Sequence, residues 1–391
     1  MNVPFLDLKI QYQTLKQDID RKILDVVASQ KFILGSEVSG LEDEIASYTG
    51  TKYAVGVSSG SDALIVSLMS LDVGKGDAVV TTPFTFFATV GAIVRVGARV
   101  VFCDIDPATY NMDPEKLEEA IAEARKEQPG IKVKAIIPIH LYGQCADMTP
   151  ILASAEKLGL SVVEDAAQAI GAGYPSASGV KKACGIGDMG ILSFFPSKNL
   201  GAFGDGGMIL TDNENLANKA RILRTHGAQN KYYHDVVGGN FRLDAIQAAV
   251  LRVKLNHLEA WTRKRQENAR LYDNLFADSG LVTREFLQIP RAVYKQSGIP
   301  NYHVYNQYVV RVKDRDELQR YLTEKGIGNS IYYPLALHLQ NCFSDLGYKA
   351  GEFPRTEKAT AEVLALPIYP ELSKDQLEYV VASIKDFYAG R

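Results

Sequence analysis

What the sequence lacks narrows its class before any motif is found. No apolar run approaches the ~18 residues of a membrane-spanning helix. The opening residues, MNVPFLDLKIQYQ, lack the basic-then-apolar order of a secretory signal, so a cytoplasmic chain is expected. Cysteine is scarce: Cys103, Cys145, Cys184 and Cys342 are scattered without C-x-x-C spacing. That argues against a disulfide framework or a zinc site, and it leaves mostly buried, reduced thiols with no metal expected. Charge of one sign is lacking too. With 43 Lys and Arg against 46 Asp and Glu, a net charge of −3 and no long like-charge block, no nucleic acid and no membrane surface is an expected partner. There is no internal repeat, no G-x-x-x-x-G-K-[ST] and no G-x-S-x-G. GIGDMG at 185–190 matches G-x-G-x-x-G, but it follows a polar loop and precedes a strand, so it reads as a turn and not as a dinucleotide cradle.

What is there is the patterning of an α/β chain. At about 100–200 residues per domain, 391 residues predict two domains, or a large one with a smaller appendage. Seven apolar, β-branched runs, at 54–60, 77–84, 99–105, 133–143, 160–167, 189–195 and 206–211, alternate with helical stretches and predict a mostly parallel sheet. Several are apolar on consecutive residues, so helices should cover both faces. Asp113 is placed to cap a helix that has Pro114 at its first position and Glu115 in its first turn. A long helical pattern from Gly239 to about 275, bending near Asn256, leads into a second unit. That unit reads as strand YNQYVVRV, helix RDELQRYLTEKG, strand GNSIYY and a last helix SKDQLEYVVASIKDFY. The loop 173–188 and the stretch around 289–300 read as mobile.

Four segments could carry chemistry. In SFFPSKNLGAFGDGG at 193–207, Lys198 follows an apolar strand in a loop of small residues. A lysine desolvated by apolar walls loses pKa and becomes an amine nucleophile, the requirement for a Schiff base to an aldehyde cofactor. Taken alone, Lys198 reads more readily as an exposed loop residue. In VVEDAAQAIGA at 162–172, Glu164, Asp165 and Gln168 stand at the carboxyl end of a strand, where α/β sheets collect ligand groups. An Asp there can pair with the protonated nitrogen of a pyridine ring, and it can equally cap a helix. In SSGSDALIVSL at 58–68, Gly60 and Ser61 open a helix whose free N–H groups form a phosphate site. In TTPFTFFATVGAI at 81–93, Phe86 or Phe87 offers a face for stacking, or else packs in the core.

Together these segments resemble the fold-type I pyridoxal-phosphate (PLP) enzymes, and among them the DegT/StrS family of nucleotide-sugar aminotransferases. The resemblance begins at PFLDLKIQY (4–12), continues through ILGSEVSGLEDEIASYTGTKYAVGVSSGSDAL (33–64) and runs to GGNFRLDAIQAAVL (238–251). It implies a large PLP-binding domain over 1–258, with a seven-stranded sheet between helices, and a smaller C-terminal α+β domain over 259–391. Carried over by position, it makes Lys198 the Schiff-base lysine that also moves a proton between carbons. It makes Asp165 the partner of the ring nitrogen and Gln168 that of the ring hydroxyl. Phe86 falls where the family stacks an aromatic ring, and Gly60, Ser61 and Ser193 fall where it holds the phosphate. Asn240 matches an asparagine supplied by the neighbouring subunit, which implies a homodimer with shared sites. Arg242 matches a grip for a substrate carboxylate. IYYPLALHLQ at 331–340 falls on the substrate-reaching stretch and adds Tyr332, Tyr333 and His338, although His338 by itself reads as a structural histidine. Ile170 stands where the family often has histidine, and the loop 173–188 is longer than the resemblance leads one to expect.

The activity implied is transamination from L-glutamate to a nucleotide-linked keto sugar, for surface (lipo)polysaccharide biosynthesis. YNMDPEKLE, IIPIHLYGQCADM and SFFPSKNLGAFGDGG most resemble the branch that aminates carbon 3, and within it the enzymes of UDP-2-acetamido-3-keto-glucuronate. A dTDP-3-keto or a 4-keto sugar is the alternative. A related dehydratase group carries histidine at the lysine position, against Lys198 here. A non-catalytic PLP-binding regulator would need an added basic recognition domain, for which neither charge nor length leaves room.

Overall fold

Each of the seven apolar runs forms a strand of one sheet in the computed structural model, which describes residues 1–230 and 232–389. The strands are β1 (Tyr53–Val57), β2 (Asp77–Thr81), β3 (Arg99–Phe102), β4 (Lys132–Ile136), β5 (Ser161–Asp165), β6 (Met189–Ser193) and β7 (Gly207–Thr211). Their spatial order is β1-β7-β6-β5-β4-β2-β3. Only β7 runs against the rest, paired antiparallel with both β1 and β6. Side chains alternate between faces, so Ala78 and Val80 of β2 enter one apolar layer while Val79 enters the other. Helices Ser36–Thr49, Pro114–Glu127 and Ala245–Leu255 cover the first layer through Leu41, Leu117 and Leu251. Helices Gly60–Ser70 and Phe87–Arg95 cover the second through Leu64 and Ile93. The chain therefore has the α/β fold expected, with the central sheet buried on both sides.

Local signals set the element ends. Asp113 accepts from Glu115 N at 3.0 Å and starts the helix Pro114–Glu127, as the sequence predicts. The long helical pattern breaks where a bend is expected, after Leu255, and resumes as Leu258–Ser279. Its start differs from expectation: residues 239–244 are not helical but extended, bridging Asn240 to Thr225, Arg242 to Val57 and Asp244 to Ile33.

The C-terminal unit has its own core. Tyr308–Val312 pairs antiparallel with Val363–Leu366 and with the short strand Leu287–Gln288. Tyr272, Phe276, Tyr308, Leu366 and Ile384 pack behind them. Val3 joins this same core and bridges Ile327, so the N-terminal residues reach across to the unit that follows residue 258. Ser373 and Gln376 form a capping box for the last helix, Lys374–Tyr388. GNSIYY is not the strand its pattern predicts: only Ser330 bridges, to Ala365, and the chain then turns toward the main sheet. The loop 173–188 contains a hairpin, Gly173–Ser176 with Gly179–Lys182, pinned by the buried Tyr174, whose hydroxyl donates to Asp147 at 3.0 Å. Among the described residues no helix is long and apolar enough to cross a membrane.

Candidate active site

Parallel strands deliver their carboxyl ends to one edge of the sheet, and the reversed β7 delivers its amino end to the same edge. A cavity of about 580 Å³ opens there. Its lining includes Gly60 and Ser61 after β1, Phe86 after β2, Asp165 and Gln168 from the end of β5, and Ser193 and Lys198 from β6 and its loop. Tyr332, Tyr333 and Gln307 close it from the C-terminal unit. Nine of the sequence-derived candidates are thus brought to one space.

Asp165 is buried under this space. Its Oδ2 accepts from Thr89 Oγ1 at 2.8 Å and its Oδ1 from Ala167 N at 3.2 Å. Thr89 in turn lies 3.1 Å from Thr85 Oγ1; with Thr89 donating to the carboxylate, Thr85 must donate to Thr89. Burial pushes the Asp165 carboxyl above the usual range, against the pull of the Thr89 bond, the Ala167 N–H and the Lys198 charge. Lys198 shows the matching effect. The apolar walls lower its pKa to about 8, while the carboxylate of Asp165 acts in the other direction. Burial thus moves both groups toward their neutral forms, while the charge of each acts on the other in the opposite direction across one cavity.

Glu164, one residue before Asp165, is not in the cavity. Strand alternation sends it to the opposite face, where its carboxylate accepts from Cys184 N (2.9 Å), Ile186 N (2.7 Å) and Gly187 N (2.7 Å). His140 Nδ1 accepts from Ala146 N, so its Nε2 carries the proton and donates to Glu164 at 2.8 Å. The first part of GIGDMG thus forms a turn tied to Glu164 through Ile186 N and Gly187 N, and Gly190 already belongs to β6.

The residues present fit pyridoxal phosphate. Ser59 Oγ accepts from Asp62 N at 3.0 Å and caps the helix Gly60–Ser70. Helix geometry leaves the N–H groups of its first residues free for an anion. Glycines let the elements around this corner pack closely: a Cβ on Gly60 would stand 2.7 Å from Ser193 Cβ, and one on Gly207 would stand 2.3 Å from Ser59 O. Ser193 brings a hydroxyl to the same corner. Phe86, 58% exposed, presents its ring at the mouth, 6.4 Å from that of Tyr333. Gln168 Oε1 accepts from Tyr142 N at 2.6 Å, which turns the amide nitrogen toward Tyr333 OH, 3.3 Å away.

Three candidates stand elsewhere. Asn240 is exposed on the extended 239–244 segment, and Arg242 lies beside it; neither lines the cavity of its own chain. Arg242 Nε is buried without a hydrogen-bond partner among the described residues. His338 is buried against Phe102 and Phe353 with Nε2 3.2 Å from Glu357, a packing position away from the cavity. Sequence reasoning missed Thr89, Tyr142 and Gln307. It also missed Lys254, a buried lysine that fastens the loop after Lys198 by donating to Gly201 O at 2.7 Å. Ser59 had a legible signal, the Ser-x-x-Asp spacing ahead of an apolar run.

A seven-stranded α/β core with a poised lysine facing a buried carboxylate at the sheet's carboxyl edge is the architecture of an aminotransferase. The chain belongs to the DegT/DnrJ/EryC1/StrS aminotransferase family, whose model matches residues 13–385. It is 49% identical over 389 residues to a Geobacillus stearothermophilus protein named "Pleiotropic regulatory protein", covering 99% of each chain. It is 39% identical over 382 residues to the UDP-2-acetamido-2-deoxy-3-oxo-D-glucuronate aminotransferase of Pseudomonas aeruginosa, covering 98% of this chain and 99% of the relative. Among solved structures, ntda from Bacillus subtilis with bound cofactor PMP superposes with a TM-score of 0.87 at 30% identity, covering 98% of this chain and 85% of that one.

Proposed function

We propose that this chain moves an amino group from L-glutamate to carbon 3 of a nucleotide-linked keto sugar, UDP-2-acetamido-3-keto-glucuronate or a close analogue, in surface polysaccharide biosynthesis. The observation that carries the reading is the amine of Lys198, lowered to about 8, in one cavity with the buried Asp165 and a capped helix N-terminus. The P. aeruginosa relative supports the choice of sugar and of carbon 3. The PMP bound in the B. subtilis structure supports the cofactor.

When bound, pyridoxal phosphate supplies the carbonyl that takes the amino group and a ring that accepts the electrons released when a proton leaves the amino-bearing carbon. The chain's residues do the rest. Lys198 offers a neutral amine as nucleophile, then takes that proton and returns it to the neighbouring carbon. Asp165 would hold a proton on the ring nitrogen, with Thr89 and Thr85 keeping its carboxylate oriented. Gln168, its carbonyl committed to Tyr142 N, would donate its amide to the cofactor. Gly60 N, Ser61 N and Ser193 Oγ would hold the phosphate, and Phe86 would help to exclude water. Asn240 and Arg242 are assigned to the cavity of a second copy, Asn240 to its phosphate and Arg242 to a donor or uronate carboxylate.

The test is the visible absorption of the purified holoprotein. L-Glutamate should convert the aldehyde-form band, and UDP-2-acetamido-3-keto-glucuronate should restore it, whereas 4-keto and dTDP-linked sugars should not. A band that glutamate leaves unchanged overturns the donor, and restoration by another ketone overturns the sugar. The name of the 49%-identical relative favours one second reading, a PLP-binding regulator without turnover. Turnover that Lys198→Ala abolishes while the fold survives excludes it.

A further inference from the structure

The turn Leu141–Gly143 after β4 joins the two walls of the cavity, and the mechanism above uses none of its side chains. Asn111 braces it from behind, accepting from Leu141 N at 2.9 Å and donating to Gln144 O at 3.2 Å. Gly143 has φ +109°, and a Cβ there would stand 2.8 Å from Val304 Cγ2 and 3.0 Å from Asn306 N, so only glycine lets the C-terminal unit come this close. Across that contact Val304 N donates to Gly143 O at 2.8 Å, and Gln307 N donates to Tyr142 O at 3.3 Å. Between them stands Tyr142, left-handed at φ 60° and only 4% exposed.

Tyr142 bonds to both walls at once. Its backbone N–H donates to Gln168 Oε1, and its phenol donates to the carbonyl of Tyr332. Gln168 Nε2 then donates to Tyr333 OH, which closes a ring of bonds through Tyr142, Gln168, Tyr333 and Tyr332. The direction of this ring is fixed. A backbone N–H only donates, so the Gln168 carbonyl must face Tyr142 and both hydrogens of its amide must face away. Burial pushes the Tyr142 phenol well above its ordinary range, so it remains a donor at every working pH. Members of a buried hydrogen-bond ring hold one another in place, and removing one loosens the rest.

We propose that Tyr142 is a positioning residue that sets the substrate-side stretch Tyr332–Tyr333 in register with Gln168, so that one contact aligns the sugar wall with the cofactor wall. The proposal rests on the functional reading above for the identity of the two walls. Tyr142→Phe keeps the backbone N–H on Gln168 and loses only the phenol bond to Tyr332. The expected result is a Kd for UDP-2-acetamido-3-keto-glucuronate that rises by about five- to tenfold. It is read by calorimetry on the aldehyde form, which has no amino group to give. The glutamate half-reaction and the absorption band should stay within about twofold, since the Gln168 contact survives. In a cycle with Tyr333→Phe the two losses should be less than additive, because both cut the same ring. An unchanged Kd, an equal fall in both half-reactions, or strictly additive losses would overturn the proposal. Asn111→Ala, which releases the same turn without touching the phenol, must reproduce the weaker sugar binding, and normal binding in that variant overturns it even if Tyr142→Phe does not fold. A wild-type protein that binds the sugar but never takes an amino group fails the functional reading and leaves this test intact.

Discussion

Asp165 and Lys198 are each shifted by the same cause, removal from water, and each shift has a measurable sign. A lysine at about 8 in place of 10.5 is half neutral near pH 8. Capture of pyridoxal phosphate by the cofactor-free protein is therefore expected to quicken as pH rises through about 8 and then level off. A rate that keeps climbing toward 10.5, measured by stopped-flow absorbance, would show that the walls do not desolvate the amine. Thr89 supplies the opposite control. Its 2.8 Å bond is one of the interactions that lower the Asp165 pKa against burial. Thr89→Val keeps the shape, removes the donor and should raise that pKa further, so activity should be lost on acidification at a higher pH than in the wild type. At neutral pH the fall in kcat should be about tenfold, the scale of a hydrogen bond to a charged group. Kinetic pH profiles of the two proteins that coincide would remove Thr89 from the site. At this scale the sequence was partly legible. Strand termini mark Asp165 and Lys198, but they also grouped Glu164 with them, although the period of two in a strand turns it to the opposite face, and nothing in the sequence distinguishes Thr89 from an ordinary core threonine.

Around the cavity, the reversed strand owes its close approach to a glycine. Gly207, first residue of the reversed strand β7, lies so close to the loop after β1 that a Cβ would meet Ser59 O at 2.3 Å. That atom belongs to the backbone of the helix cap, so nothing flexible can yield. Gly207→Ala is expected to cost about 2 kcal/mol of stability, in the range for forced overpacking, and to weaken cofactor retention more than Gly204→Ala does. At Gly204 the nearest obstacle is the end of the Gln247 side chain at 3.0 Å, which can move. Urea unfolding and dialysis against buffer check both parts; equal losses in the two variants would mean that the cradle is not the sensitive place. Element positions were legible wherever burial on both faces leaves consecutive apolar residues, as in β2 and β5. They were misread where tertiary contact overrides pattern. GNSIYY has strand composition, yet the carbonyl of Tyr332 is claimed by Tyr142, and Tyr333 is drawn to Gln168. The 239–244 segment was read as helix, yet its backbone is taken up in bridges to Thr225, Val57 and Ile33.

At the scale of the whole molecule, neither Asn240 nor Arg242 lines its own chain's cavity, and the segment before them exposes Tyr232 (80%), Tyr233 (73%) and Val237 (88%). Apolar exposure of this extent beside polar candidates is what an interface with a second copy would bury. The consequence can be tested by mixing. Lys198→Ala removes the amine from its own cavity, and Asn240→Glu sets a negative charge where the partner's phosphate would lie. Each homodimer should be inactive or nearly so. If the two variants are unfolded together and refolded, random pairing puts about half the dimers in the mixed form, and each mixed dimer then has one intact site of two. It is the site that combines the unaltered Lys198 of one chain with the unaltered Asn240 of the other. Activity should therefore recover to about a quarter of the wild-type value in the glutamate assay. Sites built from one chain only would give no recovery at any mixing ratio, because every cavity would keep its own lesion. The size of the recovery thus decides between shared and separate sites without any structure of the assembly.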